Sequence, residues 1–149
     1  MRADLAACQA PLPSRKRALQ HAASLLADQT QSEDTIFDAF MARERLGSTG
    51  LGNGVAIPHC RLAVPEIRVA ILTLAAPVDY ESIDADPVDL LFCIVVPLEE
   101  QEAHLKLLAQ LSGVFSEEVH RSRLRACQNV DDLAATMDEL LKLQQIDAA

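Results

Sequence analysis

The segment Val88–Val96, V-D-L-L-F-C-I-V-V closed by Pro97, constrains this chain more than any other. A near-continuous apolar run of that length, rich in β-branched residues, reads as a strand buried on both faces. It falls well short of the roughly 18 residues a membrane span needs. Such a strand requires partners along its edges and cover on both sides. Ile67–Leu74, I-R-V-A-I-L-T-L, is partly alternating and bounded by Pro65 and Pro77, and it supplies a second strand. The acidic stretch Asp79–Asp86 between them reads as a loop with a turn near Asp84-Ala85-Asp86-Pro87.

The cover is legible as helical periodicity. Ser14 is an N-cap candidate for a helix running to about Asp28, with Ala18, Ala22, Leu25 and Leu26 on one face. Arg15, Lys16 and Arg17 at its start oppose the helix dipole, which fits a solvated face or a partner-binding one. A second helix starts at Ser32 or Thr30, with Glu33 completing a capping box to Thr30. It carries the stripe Ile36, Phe37 and Phe40, and Gly47 is its natural stop. Glu99 and Glu100 favour the N-terminus of a third, with Leu105, Leu108, Leu111 and Val114 spaced helically to about Phe115. Glu117–Cys127 and Val130–Leu143 make two more, joined at Asn129 and Asp131. Met1–Pro13 reads as a tail or an edge strand. The whole predicts one α/β domain over residues 1–149: a central mixed β-sheet flanked by helices on both faces.

The formal net charge of −9 argues against nucleic-acid partners and against anionic membrane surfaces. A protein partner with a basic face fits better. The four cysteines, Cys8, Cys60, Cys93 and Cys127, show no C-x-x-C, and the Leu5-Ala6-Ala7 run is too short for a secretory signal. A reduced, cytoplasmic protein is expected, without membrane insertion.

The chemistry concentrates in Leu46–Leu62, L-G-S-T-G-L-G-N-G-V-A-I-P-H-C-R-L, which holds four of the chain's five glycines. There is no G-x-x-x-x-G-K-[ST] and no G-x-G-x-x-G, so neither familiar nucleotide cradle is present. Val55, Ala56 and Ile57 read as a short buried strand that stops at Pro58 and delivers His59 to its end. A neutral imidazole near pKa 6.5 can accept or release a phosphoryl group. A glycine-rich turn can offer the amides to hold that group, so Gly47, Ser48, Thr49, Gly50, Gly52, Asn53 and Gly54 form an expected phosphoryl-binding loop. Arg43 or Arg45, in the last turn of the preceding helix, could add a guanidinium. The blander alternatives are a buried histidine satisfied by a carbonyl and an arginine paired with Glu44. Cys60 should point away from His59 across the strand, which argues against a shared metal. His21 and His120, among charged neighbours, read as surface residues.

With G-S-T-G-L-G-N-G-V-A-I-P-H in unbroken order between Arg43 and Arg61, the chain resembles the type-2 (fructose/mannitol) enzyme IIA domain of the phosphoenolpyruvate-dependent phosphotransferase system, and most of all its nitrogen-regulatory branch. S-R-K-R-A-L at Ser14–Leu19, P-V-D-L-L-F at Pro87–Phe92, H-L-K-L-L at His104–Leu108 and R-L-R-A at Arg123–Ala126 extend the likeness over nearly the whole chain. The resemblance implies that His59 takes a phosphoryl group from a phosphohistidine on a histidine phosphocarrier protein, of nitrogen or sugar type. It implies that His104 orients the site and bonds the phosphoryl group, that Arg43 helps to bind it, and that no cofactor or metal is needed. The protein would be a phosphocarrier more than a turnover enzyme. In the regulatory reading its phosphorylation state changes which targets, such as kinases or transporters, it binds. In the alternative it passes the group to a IIB domain for sugar transport. The chain carries no fused carrier or membrane domain, which favours regulation. One departure stands out: the residue after the active histidine is commonly glycine, and here it is Cys60.

Overall fold

The apolar run folds as β6 (Val88–Pro97), the middle of a six-stranded sheet. The structure, a computed structural model, describes residues 1–99 and 101–148. The other strands are β1 (Ala6–Ala10), β2 (Gly50–Gly52), β3 (Val55–Ala56), β4 (His59–Leu62) and β5 (Arg68–Val78). They run in the order β1-β5-β6-β3-β2, with β4 also paired to β6. The β5–β6 and β2–β3 pairs are antiparallel, and β1–β5, β3–β6 and β4–β6 are parallel, so the sheet is mixed.

Both faces of β6 are dry, which is why its sequence does not alternate. Leu91, Cys93 and Val95 pack against α1 (Arg15–Leu26) and α2 (Glu33–Arg45), through Leu19, Leu26, Ile36 and Phe40. Leu90, Phe92, Ile94 and Val96 pack against α3 (Gln101–Phe115), α4 (Glu118–Ala126) and α5 (Val130–Ala148), through Leu111, Leu124 and Met137. Each such side chain contributes about 1.5–3 kcal/mol over leaving it exposed. Helices therefore cover both faces, as the pattern requires.

Local chemistry sets the boundaries. Ser14 Oγ accepts from the Arg17 amide at 3.1 Å and caps α1, which ends at Leu26 because Ala27 is already extended. Ser32 Oγ accepts from the Thr35 amide and caps α2. The expected Thr30–Glu33 capping box does not form: Thr30 is committed to the Asp28 carboxylate, by its amide at 2.8 Å and its hydroxyl at 2.6 Å. Asn129 Oδ1 receives the Asp132 amide at 2.8 Å and starts α5, which continues past Leu143. Glu100 lies outside the described residues. The N-terminal segment is an edge strand, with a bulge where Gln9 adopts φ 49°. No helix among the described residues is long and apolar enough to cross a membrane.

Candidate functional site

The strand expected to end at His59 continues through it. Val55 pairs with Leu90, Ala56 with Leu91, His59 with Ile94 and Leu62 with Pro97, one unbroken parallel register on β6. Pro58 lacks an N–H and interrupts the ladder without ending it, and its carbonyl still takes the Ile94 amide at 2.9 Å. Strand alternation then divides the residues by face. Val55 and Ile57 belong to the α3–α5 core, and His59 and Arg61 follow them on that side. Cys60 enters the opposite core beside Val64 and Val95, where burial pushes its thiol up to about 12. The room that the usual glycine leaves is thus filled by an inert core side chain.

A cleft of about 600 Å³ lies at this edge of the sheet, where α2 comes from one face and α3 from the other. Its walls are Ala39, Ala42, Arg43 and Leu46 of the α2 end, His59, Cys60 and Arg61 of β4, and His104 of α3. Three expected residues, His59, His104 and Arg43, are brought together here. The two imidazoles lie 5.4 Å apart between centroids, tilted by 59°.

Each ring's proton can be placed by its partner. His59 Nδ1 lies 2.8 Å from the Ile57 carbonyl, which only accepts, so Nδ1 carries a hydrogen, and in the neutral ring the lone pair is on Nε2. The alternative of a histidine satisfied by a carbonyl is therefore half true: the bond exists and leaves the second nitrogen without a hydrogen-bond partner among the described residues. Arg61 Nη2 sits 3.2 Å from His104 Nδ1. His104 is only 7% exposed, and its Nε2 is buried with no hydrogen-bond partner among the described residues. Burial, then the neighbouring His59 and Arg61, holds its pKa below the ordinary histidine value.

Arg43 reaches the cleft with Nη1 bonded to the Gly47 carbonyl at 2.9 Å, not to Glu44. Arg45, the substitute arginine, is exposed and outside the cleft lining. Glu44 turns the other way into the interior. There it accepts from the Thr49 amide at 3.0 Å, from the Thr49 hydroxyl, and from the Tyr80 hydroxyl at 2.5 Å. Burial and the Glu44 charge hold the Tyr80 phenol well above its usual range. His21 is half-buried, and His120 is tied to the Val114 carbonyl at 2.9 Å.

The glycine loop is not brought into the cleft. None of Gly47, Ser48, Thr49, Gly50, Gly52, Asn53 or Gly54 is among its lining residues. The segment forms the β2–β3 hairpin, and several of its amides are already engaged: Gly47 to Glu44, Thr49 to the Glu44 carboxylate, Gly50 to Ser48 Oγ and Asn53 to Asp84. Two of its glycines, Gly50 and Gly54, answer to crowding, whereas Gly47 faces open space. A Cβ on Gly50 would lie 2.2 Å from Ser82 Oγ, and one on Gly54, at φ +79°, would lie 2.5 Å from Arg125 Nη2. Arg125 is held there by the Asn53 carbonyl at 2.7 Å and by Asp89 at 3.0 Å.

Sequence reasoning missed Arg61, although its spacing two residues beyond His59 on a strand was a usable signal. It also missed the Glu44–Thr49–Tyr80 network, for which no local pattern exists.

The chain is similar to known proteins over most of its length. Residues 1–140 match the family described as "Phosphoenolpyruvate-dependent sugar phosphotransferase system, EIIA 2". The nitrogen regulatory protein of Pseudomonas aeruginosa is 45% identical over 126 residues, covering 83% of this chain and 82% of that one. The fructose-specific EIIA component of Haloferax volcanii is 32% identical over 142 residues, covering 91% and 92%. The crystal structure of nitrogen regulatory protein IIA-Ntr from Neisseria meningitidis superposes with a TM-score of 0.86 at 34% identity, covering 91% and 94%.

Proposed function

The chain belongs to the EIIA 2 family of the phosphoenolpyruvate-dependent sugar phosphotransferase system, and from that membership we propose that it is a nitrogen-regulatory phosphocarrier whose acceptor atom is His59 Nε2. The observation that carries this reading is the Ile57 carbonyl on Nδ1, which leaves Nε2 nucleophilic in a cleft shared with a second imidazole and two guanidinium groups. A phosphohistidine on a carrier protein, protonated on its remote ring nitrogen, places its phosphorus in line with Nε2. The P–N bond to the carrier breaks as the P–N bond to His59 forms. Each ring keeps its remote proton: the carrier leaves as a neutral imidazole, and His59 ends as a phosphorylated imidazolium with Nδ1–H on the Ile57 carbonyl.

Catalysis of such an exchange is positioning and charge stabilisation, since nitrogen replaces nitrogen. Arg43 and the His104 Nε2–H share the phosphoryl charge. The hairpin serves as scaffold, and its link to the cleft is the Gly47 carbonyl that anchors Arg43. Exposed Leu46, Leu98 and Leu105, the first in the cleft wall and the others beside Arg61 and His104, provide an apolar rim for a docking protein. Phosphorylation adds about −1.5 to −2 charges at the centre of that rim, enough to change which partner sits on it. The nitrogen-regulatory relatives favour a regulatory output over sugar transport, and four free thiols suit a cytoplasmic setting.

The test is incubation with phosphoenolpyruvate, enzyme I and either a nitrogen-type or a sugar-type carrier. An acid-labile phosphoryl group that His59→Ala abolishes is expected, with labelling confined to the nitrogen-type carrier. Labelling that survives His59→Ala would sink the acceptor assignment. Labelling by the sugar-type carrier, followed by transfer to a IIB domain, would make the transport reading correct.

A further inference from the structure

We propose that Arg61 is a positioning residue for phosphoryl transfer: its guanidinium locks His104 in the tautomer that bears its hydrogen on Nε2, and so aims that N–H at the group carried by His59. This inference rests on the reading of His59 as the phosphoryl acceptor.

An arginine side chain has donors and no acceptor, and it does not deprotonate in proteins. With Arg61 Nη2 3.2 Å from His104 Nδ1, that nitrogen can only accept, and the hydrogen of the neutral ring must sit on Nε2. That N–H is buried and has no partner among the described residues. A buried donor without an acceptor is costly, and it is kept where function uses it. The adjoining ring is His59, with centroids 5.4 Å apart, so a phosphoryl oxygen on its Nε2 provides the missing acceptor.

Arg61 is placed to do this by the strand and by a second anchor. It lies on the same face of β4 as His59, and Nη1 reaches the Leu98 carbonyl at 3.5 Å, in the segment that leads into the helix carrying His104. Among the described residues, the charged and titratable groups that line the cleft with His104 are His59, Cys60 and Arg61 from β4 and Arg43 from α2, with no carboxylate. Protonating His104 would break the Arg61 bond and set one cation against another. The ring therefore stays neutral, a donor at Nε2 and an acceptor at Nδ1. The direction of its pKa agrees.

The test reads the tautomer directly, by ¹⁵N NMR of the His104 ring nitrogens in wild type, Arg61→Ala and Arg61→Lys, alongside phosphotransfer kinetics from a phosphorylated nitrogen-type carrier. Arg61 is exposed, and circular dichroism checks that the variants fold. Expected in wild type is the Nε2–H form. Arg61→Ala should give mixed tautomers, a higher His104 pKa and about a tenfold lower kcat with KM changed less than about twofold. Arg61→Lys, which keeps a cationic donor, should recover part of both. An Nδ1–H wild-type ring, or an unchanged tautomer in Arg61→Ala, overturns the proposal. A raised KM with kcat unchanged also overturns it and assigns Arg61 to carrier docking. An unlabelled wild-type protein with the Nε2–H tautomer intact overturns the acceptor reading instead, because the tautomer is measured without any phosphoryl donor.

Discussion

Two neighbouring segments, the hairpin Gly47–Gly54 and the strand His59–Leu62, read in the sequence as one functional unit, and the fold gives them contrasting surroundings. In the hairpin, amides and glycines are consumed by the protein itself: Glu44, Ser82, Asp84 and Arg125 crowd against it. In the strand, Pro58 breaks the ladder, one ring nitrogen is tied down, and the other is left over. Glycine enrichment at Gly50 and Gly54 therefore coincides with close packing, while the proposed acceptor, His59, stands out by an incomplete set of hydrogen bonds.

That contrast can be broken by substitution. Gly54→Val forces a side chain into a left-handed position against Arg125, and should destabilise the protein by about 2–4 kcal/mol in urea unfolding, with phosphotransfer per folded molecule unchanged. The reverse pattern, normal stability with lost transfer, would return the loop to the phosphoryl site. Glu44→Ala strips the acceptor from two Thr49 donors and from Tyr80, and should cost about 2–3 kcal/mol by the same measurement. Glu44→Gln, which keeps one acceptor oxygen, should lose less.

The strand side should respond the other way. Arg43→Ala is expected to slow transfer to His59 by about tenfold or more, with stability within about 1 kcal/mol of wild type. A large stability loss at unchanged rate would reduce Arg43 to a helix-end clamp on Gly47. The smallest effect concerns pH. The folded pKa of His104 is depressed, so the unfolded chain binds more protons between that value and about 6.5. Its contribution to stability is fully present above about pH 6.5 and is lost as pH falls through the folded value. His104→Gln should flatten the stability–pH curve over that window, and an unchanged slope would show that His104 is not the group responsible.

Several elements needed no tertiary information. A near-continuous, β-branched apolar run closed by Pro97 reads as a strand that needs cover on both faces, so β6 and the layered α/β architecture were legible in Val88–Val96. The helices were equally legible, because Ser14, Ser32 and Asn129 act within one turn of where they stand. His59 could be singled out from Leu46–Leu62 and from the resemblance those residues carry.

Only the fold decided the rest. β3 and β4 span two and four residues, too few for any periodicity, and exist because β6 offers them a register. Whether Arg43 or Glu44 faces the cleft depends on how α2 is rotated over the sheet, and the helix repeat alone does not say. The meeting of Arg61 with His104, and of Glu44 with Tyr80, joins residues far apart in the chain. Local sequence carries information about hydrogen bonds that close within a turn or a strand; tautomers and buried networks depend on which distant groups the packed layers bring to the same point.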